Sequence, residues 1–207
     1  MFIKKQLWAL SIVLLFLSFT ISCGETNSQN NKETETKVSQ GKSFSLDEND
    51  FRLINLEFTG FKTEEKIGVP GTFDRIFVKA YKGATISEVM EGATFTIDPK
   101  SIETKNPERN ENIINYFFGN IDAPFITGKF QSFTNEGYKI ALKMNGVEKI
   151  YQIIEAPTSN QLVFDFSIDI VKDFSASEAL NGLAKACEVL HNGKTWSDVT
   201  IKGSVKL

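Results

Sequence analysis

Cys187 and His191 stand four residues apart in a segment of helical periodicity, a spacing that puts a thiol and an imidazole on one helix face. Such a pair is the start of a metal site or of a nucleophilic dyad. A metal site needs three or four ligands, and a dyad needs an orienting group and an oxyanion site. The chain has one His and two Cys in all, so carboxylates would have to supply the rest, and Glu188 points elsewhere on the helix. The plainer expectation is a buried small Cys and a His that sits well against the C-terminal dipole of a helix. Asp165 and Asp169 share one face of an alternating segment. Paired carboxylates do acid–base work when their surroundings separate their pKa values, but on a strand with one wet face they are solvated residues. Gly68-Val69-Pro70-Gly71 lacks the Lys-Ser/Thr that completes a phosphate-binding loop. The expectation is therefore no enzyme, no metal and no cofactor.

The 207 residues carry 23 basic and 26 acidic side chains, a formal charge of −3, which excludes the basic footprint of a nucleic-acid partner. Residues 1–22 read as an export signal. Lys4 and Lys5 precede an apolar run from Leu7 to Phe19, too short to span a bilayer comfortably. Small residues then lead to Cys23, a pattern that resembles a bacterial lipoprotein signal, although Thr20 stands where Leu is usual. Cys23 is the expected lipid-attachment residue, with the chain exported to the periplasm or outer membrane and held to the membrane by that anchor. Without residues 1–22 the charge is −5 and Cys187 is the only other thiol, so no internal disulfide forms. Residues 23–43 contain almost no apolar side chains after the Cys, and the expectation is a disordered tether. The folded domain is expected over 44–207.

The elements that must position any site read mostly as strands. Leu162, Phe164, Phe166, Ile168 and Ile170 alternate with Val163, Asp165, Ser167 and Asp169, a period of two with one wet face. Tyr138 to Met144 alternates likewise, and Asn145-Gly146 before Val147 predicts a two-residue hairpin. Weaker strands are expected at 51–62, 72–81, 92–97, 101–104, 125–133 and 196–207, with Gly68 and Pro70-Gly71 as turn residues. Two helices are predicted. Asn106-Pro107-Glu108 starts one that carries Ile113, Ile114, Phe117 and Phe118 on one face. Ser175-Ala176-Ser177-Glu178 starts the other, with Leu180, Leu183, Ala184, Cys187 and Leu190 on one stripe.

The order of motifs in the middle of the chain is informative. Val69-Pro70-Gly71-Thr72-Phe73 is followed by Gly92–Asp98, then Ser101-Ile102-Glu103-Thr104-Lys105-Asn106, Arg109-Asn110, Phe117-Phe118 and Asn145–Lys149. This series resembles the YceI-like family of lipid- or polyisoprenoid-binding proteins over roughly residues 51–207. The C-terminal third, with Cys187, His191 and Trp196, departs from the better-known members and looks like a secreted branch.

The resemblance implies an all-β fold: an antiparallel, lipocalin-like barrel of about eight strands with two short helices, holding a long apolar chain such as an isoprenoid or a quinone tail. Phe73, Phe77, Phe95, Phe117, Phe118, Phe125, Phe164 and Phe166 are the candidate apolar-ligand residues, and Arg109 is the candidate headgroup residue. Twelve buried carbons would contribute ~10 kcal/mol gross. Phe walls also make ordinary core, and an eight-stranded barrel can be filled. The competing expectation is a ligand-free barrel that acts as a protein-interaction or envelope-stress module.

Overall fold

The computed structural model describes residues 54–191 and 194–207. The expected signal segment, Cys23 and the tether lie outside the described residues. The described residues form ten strands: β1 Ile54–Lys62, β2 Ile67–Phe73, β3 Ile76–Lys79, β4 Thr94–Ile97, β5 Ile102–Glu103, β6 Ile126–Thr134, β7 Gly137–Met144, β8 Val147–Ile153, β9 Gln161–Asp169 and β10 Asp198–Lys206. They make two five-stranded antiparallel sheets, in the orders β5-β2-β1-β10-β9 and β3-β4-β6-β7-β8. The expected antiparallel all-β architecture is present, with ten strands where the resemblance implied about eight; β5 falls in the strand expected at 101–104, and β3 is an additional short piece.

The sequence expectation of one strand over 72–81 is corrected. Phe73 ends β2, a turn at Asp74-Arg75 intervenes, and β3 begins at Ile76. Gly68 and Pro70-Gly71, read as turn residues, lie inside β2 instead. Pro is tolerated there because β2 pairs with β5 only at Thr72 and Phe73. One edge of Pro70 is therefore unpaired and needs no N–H.

The Asn145-Gly146 hairpin forms as predicted, with φ of 51° and 73° at the two positions. Asn145 does more than turn: its side chain accepts from the Asp122 N–H and donates to the Phe174 carbonyl, both at 2.9 Å.

Five short α-helices accompany the sheets: α1 Ile86–Met90, α2 Pro107–Asn112, α3 Ile170–Phe174, α4 Ser177–Ala186 and α5 Glu188–His191. Asn106 caps α2 as predicted, accepting from the Arg109 N–H at 2.9 Å. α2 then widens into a π turn over Ile113–Phe117 and tightens into a 3-10 turn over Phe118–Asn120. Two helices were not anticipated, α1 and α3. The predicted start at Ser175 shifts as well. Ser175, at φ 54°, ends α3 in a left-handed conformation, and α4 begins at Ser177 without a side-chain cap. No helix among the described residues is long and apolar enough to cross a membrane.

Candidate functional site

The inward residues of the two sheets face each other across an apolar cavity of about 200 Å³. One sheet contributes Leu56, Phe58, Phe164, Phe166 and Ile201; the other contributes Ile76, Phe95, Phe130, Ile140 and Leu142. Period-two alternation aims them inward. It does not by itself explain why so many large side chains leave room. Three of the rings do so by lying over glycine. Phe58 is paired across the sheet with Gly71, Phe95 with Gly128 and Phe164 with Gly203. A Cβ added at any of these glycines would strike the partner ring. Each ring thus occupies space that a side chain would take on the neighbouring strand, and the interior stays emptier.

The two ends of the cavity differ. At one end Ile86, Val89 and Met90 of α1 are fully buried and none of them lines the cavity, so this end is solid core. At the other end Ile113, Phe117 and Phe118 come from the widened turn, and Leu180 and Leu183 from α4. Gly182 lets α4 approach closely, since a Cβ there would meet the Tyr116 carbonyl. At this end the cavity adjoins a polar cleft: Leu180, Thr195 and Trp196 line both, and Asp169, Lys172, Lys194 and Ser197 line the cleft alone.

Polar contacts bridge the margins of the two sheets. The fully buried Tyr138 of β7 donates to the Val163 carbonyl of β9 at 2.7 Å. Tyr151 of β8 donates to Asp173 of α3 at 2.8 Å, and the Asp169 N–H donates to the same oxygen at 3.0 Å. Burial pushes both tyrosine hydroxyls up, aided at Tyr151 by the hydrogen bond and charge of Asp173. Burial also pulls the Asp173 carboxyl upward, but the Asp169 N–H, the Tyr151 hydroxyl and Lys149 outweigh it, so it lies below the usual range. On the opposite margin the Arg75 N–H donates to Ser101 Oγ at 2.9 Å, and its guanidinium makes two hydrogen bonds to Asp98.

The motif that carries the sequence resemblance is largely structural. Thr104 donates to Asn110 Oδ1 from both its N–H and its hydroxyl, at 2.9 and 2.6 Å. Arg109 donates to the Thr104 carbonyl at 3.3 Å and does not line the cavity. The candidate headgroup residue thus has a structural partner in the chain itself. Its guanidinium closes the loop before α2 through that carbonyl.

Of the candidate apolar residues, Phe73, Phe95, Phe117, Phe118, Phe164 and Phe166 line the cavity. Phe77 and Phe125 do not, and each is 45% exposed. In β3 it is Ile76 and Val78 that point inward, which puts Phe77 on the outer face; Ile126, not Phe125, turns inward at the start of β6. Phe58, Phe61, Phe130 and Trp196 line the cavity too and were missed. Alternation from Ile54 to Phe58 carries the signal for Phe58; Trp196 lies in an irregular stretch and carries none.

The remaining candidates separate. Asp165 is exposed and pairs with Lys202 at 3.1 Å. Asp169 caps α3, accepting from the N–H groups of Val171 and Lys172. The Lys172 N–H is the main cause that lowers its carboxyl, against the effect of burial. Cys187 is buried, which pushes its thiol up and makes it a poor nucleophile. The side chain of His191 lies outside the described residues. The expected stripe of α4 breaks at its end, where Leu190 belongs to α5 and is 67% exposed. Among the described residues no three His, Cys, Asp or Glu side chains gather as a metal site would require.

Two facing antiparallel sheets around a helix-capped apolar interior define a lipocalin-like fold class. The chain superposes on a polyisoprenoid-binding domain from Saccharophagus degradans implicated in plant cell wall breakdown, with a TM-score of 0.52 and 13% identity over 74% of this chain and 94% of that one. It is also similar to BcnA of Burkholderia cenocepacia, with a TM-score of 0.49 and 15% identity over 72% and 94%. A Campylobacter jejuni YCEI protein gives 0.46 and 16% over 67% and 84%. No family model and no curated protein matches the chain. The fold is YceI-like, as the sequence resemblance implied.

Proposed function

We propose that this chain binds the apolar part of a lipid between its two sheets and carries or sequesters it, without catalysis. The observation that supports this most is the cavity, whose lining is almost entirely aliphatic and aromatic. A cavity of ~150 Å³ lined by such residues stays dry and holds benzene. By that scale about 200 Å³ takes roughly eight carbons. The long chain implied by the resemblance would need the walls to part or the remaining tail to leave past Trp196. The isoprenoid or quinone-like tail remains the favoured ligand class, because the structural neighbour from Saccharophagus degradans is a polyisoprenoid-binding domain.

The size revises the energetics. Eight buried carbons contribute ~6 kcal/mol gross rather than ~10, and association costs reduce this further. The tail alone therefore gives weak binding.

Export and a lipid anchor at Cys23 belong to the same proposal, supported by Lys4, Lys5 and the apolar run that precedes the Cys. An interaction module is the second reading, favoured by Val189 and Leu190, which α5 exposes at 99% and 67%.

Native mass spectrometry with lipid extraction, on protein from its export compartment, tests the carrier reading. A bound mass of a polyprenyl or quinone lipid is the expected result. A clean protein mass, with no uptake of added lipid, would sink the proposal and turn attention to protein partners.

A further inference from the structure

The polar cleft beside the cavity has a charge that its own residues do not balance. Asp169 is fully engaged. It caps α3, pairs with the Lys172 ammonium at 3.3 Å and accepts from the Ser197 hydroxyl. Lys66 lies 5.0 Å over the Trp196 ring, but it is paired with Asp198 at 2.7 Å. Lys194 is different. Its ammonium sits 4.5 Å over the Trp196 ring, and among the described residues no carboxylate lies within ion-pairing distance. The ring is itself held, because its indole N–H donates to the Thr63 carbonyl at 2.8 Å. A second, independent feature lies one residue away. The Thr195 hydroxyl oxygen is buried and has no hydrogen-bond partner, in a residue that lines both the cavity and the cleft. A buried hydroxyl without a partner is costly, and because this oxygen is closed to both spaces, it leaves the wall between them weakly held.

We infer that the cleft holds the oxyanionic head of an amphiphile, a carboxylate or a phosphate, while the tail occupies the cavity. Lys194 supplies the countercharge. The Trp196 ring, shared by both spaces, marks where head meets tail. This inference rests on the proposed binding of an apolar tail, and it adds a preference among amphiphiles of equal tail. A neutral alcohol or quinone-type head leaves Lys194 uncompensated. An anion at the same place removes that deficit through a charge-assisted hydrogen bond.

Decanoic acid, decyl phosphate and decanol share a tail and differ in the head, so their dissociation constants on the full chain separate the two proposals. The expected result is that at least one of the two anions binds roughly tenfold more tightly than decanol, equivalent to ~1.4 kcal/mol. The tighter anion identifies the head. Lys194→Met is expected to bring the anion-to-alcohol ratio near one, and Lys194→Arg to retain most of it. The retained preference in the Arg variant separates loss of charge from loss of folding. Equal binding of all three ligands, or a preference that survives in Lys194→Met, would overturn the assignment of the cleft while leaving the cavity reading intact. Binding of none would overturn the cavity reading, and this inference with it.

Discussion

At the scale of single residues, the cavity owes its volume to pairs. Phe95 and Phe164 point inward, yet their rings lie across Gly128 and Gly203 on the adjoining strands. Gly203→Ala places a methyl where the Phe164 ring now rests. The ring must swing into the cavity, and because the same methyl meets the Asn55 carbonyl, the strands must part as well. Overpacking of this kind costs typically 1–3 kcal/mol. The expected outcome is a melting temperature lowered by several degrees and uptake of decanol reduced at least fivefold. The double variant Gly203→Ala with Phe164→Leu removes the ring contact but leaves the methyl against the Asn55 carbonyl, so it is expected to regain uptake only in part. If Gly203→Ala bound decanol as the wild type does, the account of the cavity through aromatic–glycine pairs would be wrong.

At the scale of elements, helix α3 fastens β8 to β9 through Tyr151, Asp169 and Asp173. The carboxyls of Asp98, Asp169 and Asp173 all lie below the ordinary carboxylate range. A carboxyl whose folded pKa is depressed stabilises the fold fully above its unfolded value, near 4. That contribution is lost as pH falls through the lower folded value. Stability is therefore expected to be flat from neutral pH to about 5 and to fall below 4. Asp173→Asn is expected to cost about 1–3 kcal/mol at neutral pH, and urea titrations from pH 7 to 2 should show its difference from wild type shrinking toward the acid end. A constant difference across that range would place the stabilisation elsewhere.

The same element shows what was legible beforehand. Alternation from Leu162 to Ile168 announced β9 because each inward residue is apolar, while two of the three outward ones, Asp165 and Ser167, are polar. The pattern then ran on through Ile170, which is buried in either a strand or a helix, so α3 was hidden. Phe77 and Phe125 were misplaced for a related reason. Short strands such as β3 have their phase set by the register with β4, where Ile76 faces Ile97 and Val78 faces Phe95. Two apolar neighbours in sequence cannot announce which one faces in. The polar cleft was not legible at all. Asp169, Lys172, Lys194 and Ser197 come together only through the meeting of β9, α3 and the stretch before β10.

At the scale of the whole molecule, the two sheets share one core that is solid beside α1 and hollow toward α4. A ligand at free concentration L that binds the folded state alone raises stability by RT ln(1 + L/Kd), so at equal concentration the gain follows its affinity. Alcohols of increasing length therefore report the depth of the hollow. Thermal shifts at equal concentration are expected to grow up to about eight carbons, at ~0.8 kcal/mol of binding per added CH₂, and then to level off. Continued growth to sixteen carbons would mean that the walls part to admit a full lipid tail.

The aromatic–glycine pairs carry an implication for descent. Most ways of resizing a binding chamber demand several coordinated substitutions. Here one exchange of Gly71 for Ala displaces the Phe58 ring, and the reverse exchange restores it, whereas at Gly128 and Gly203 the methyl also meets the backbone carbonyls of Ala141 and Asn55. At Gly71 such a scaffold can drift between cargoes of different girth by a single step that keeps the strand register, while Gly128 and Gly203 hold their strands too closely for that.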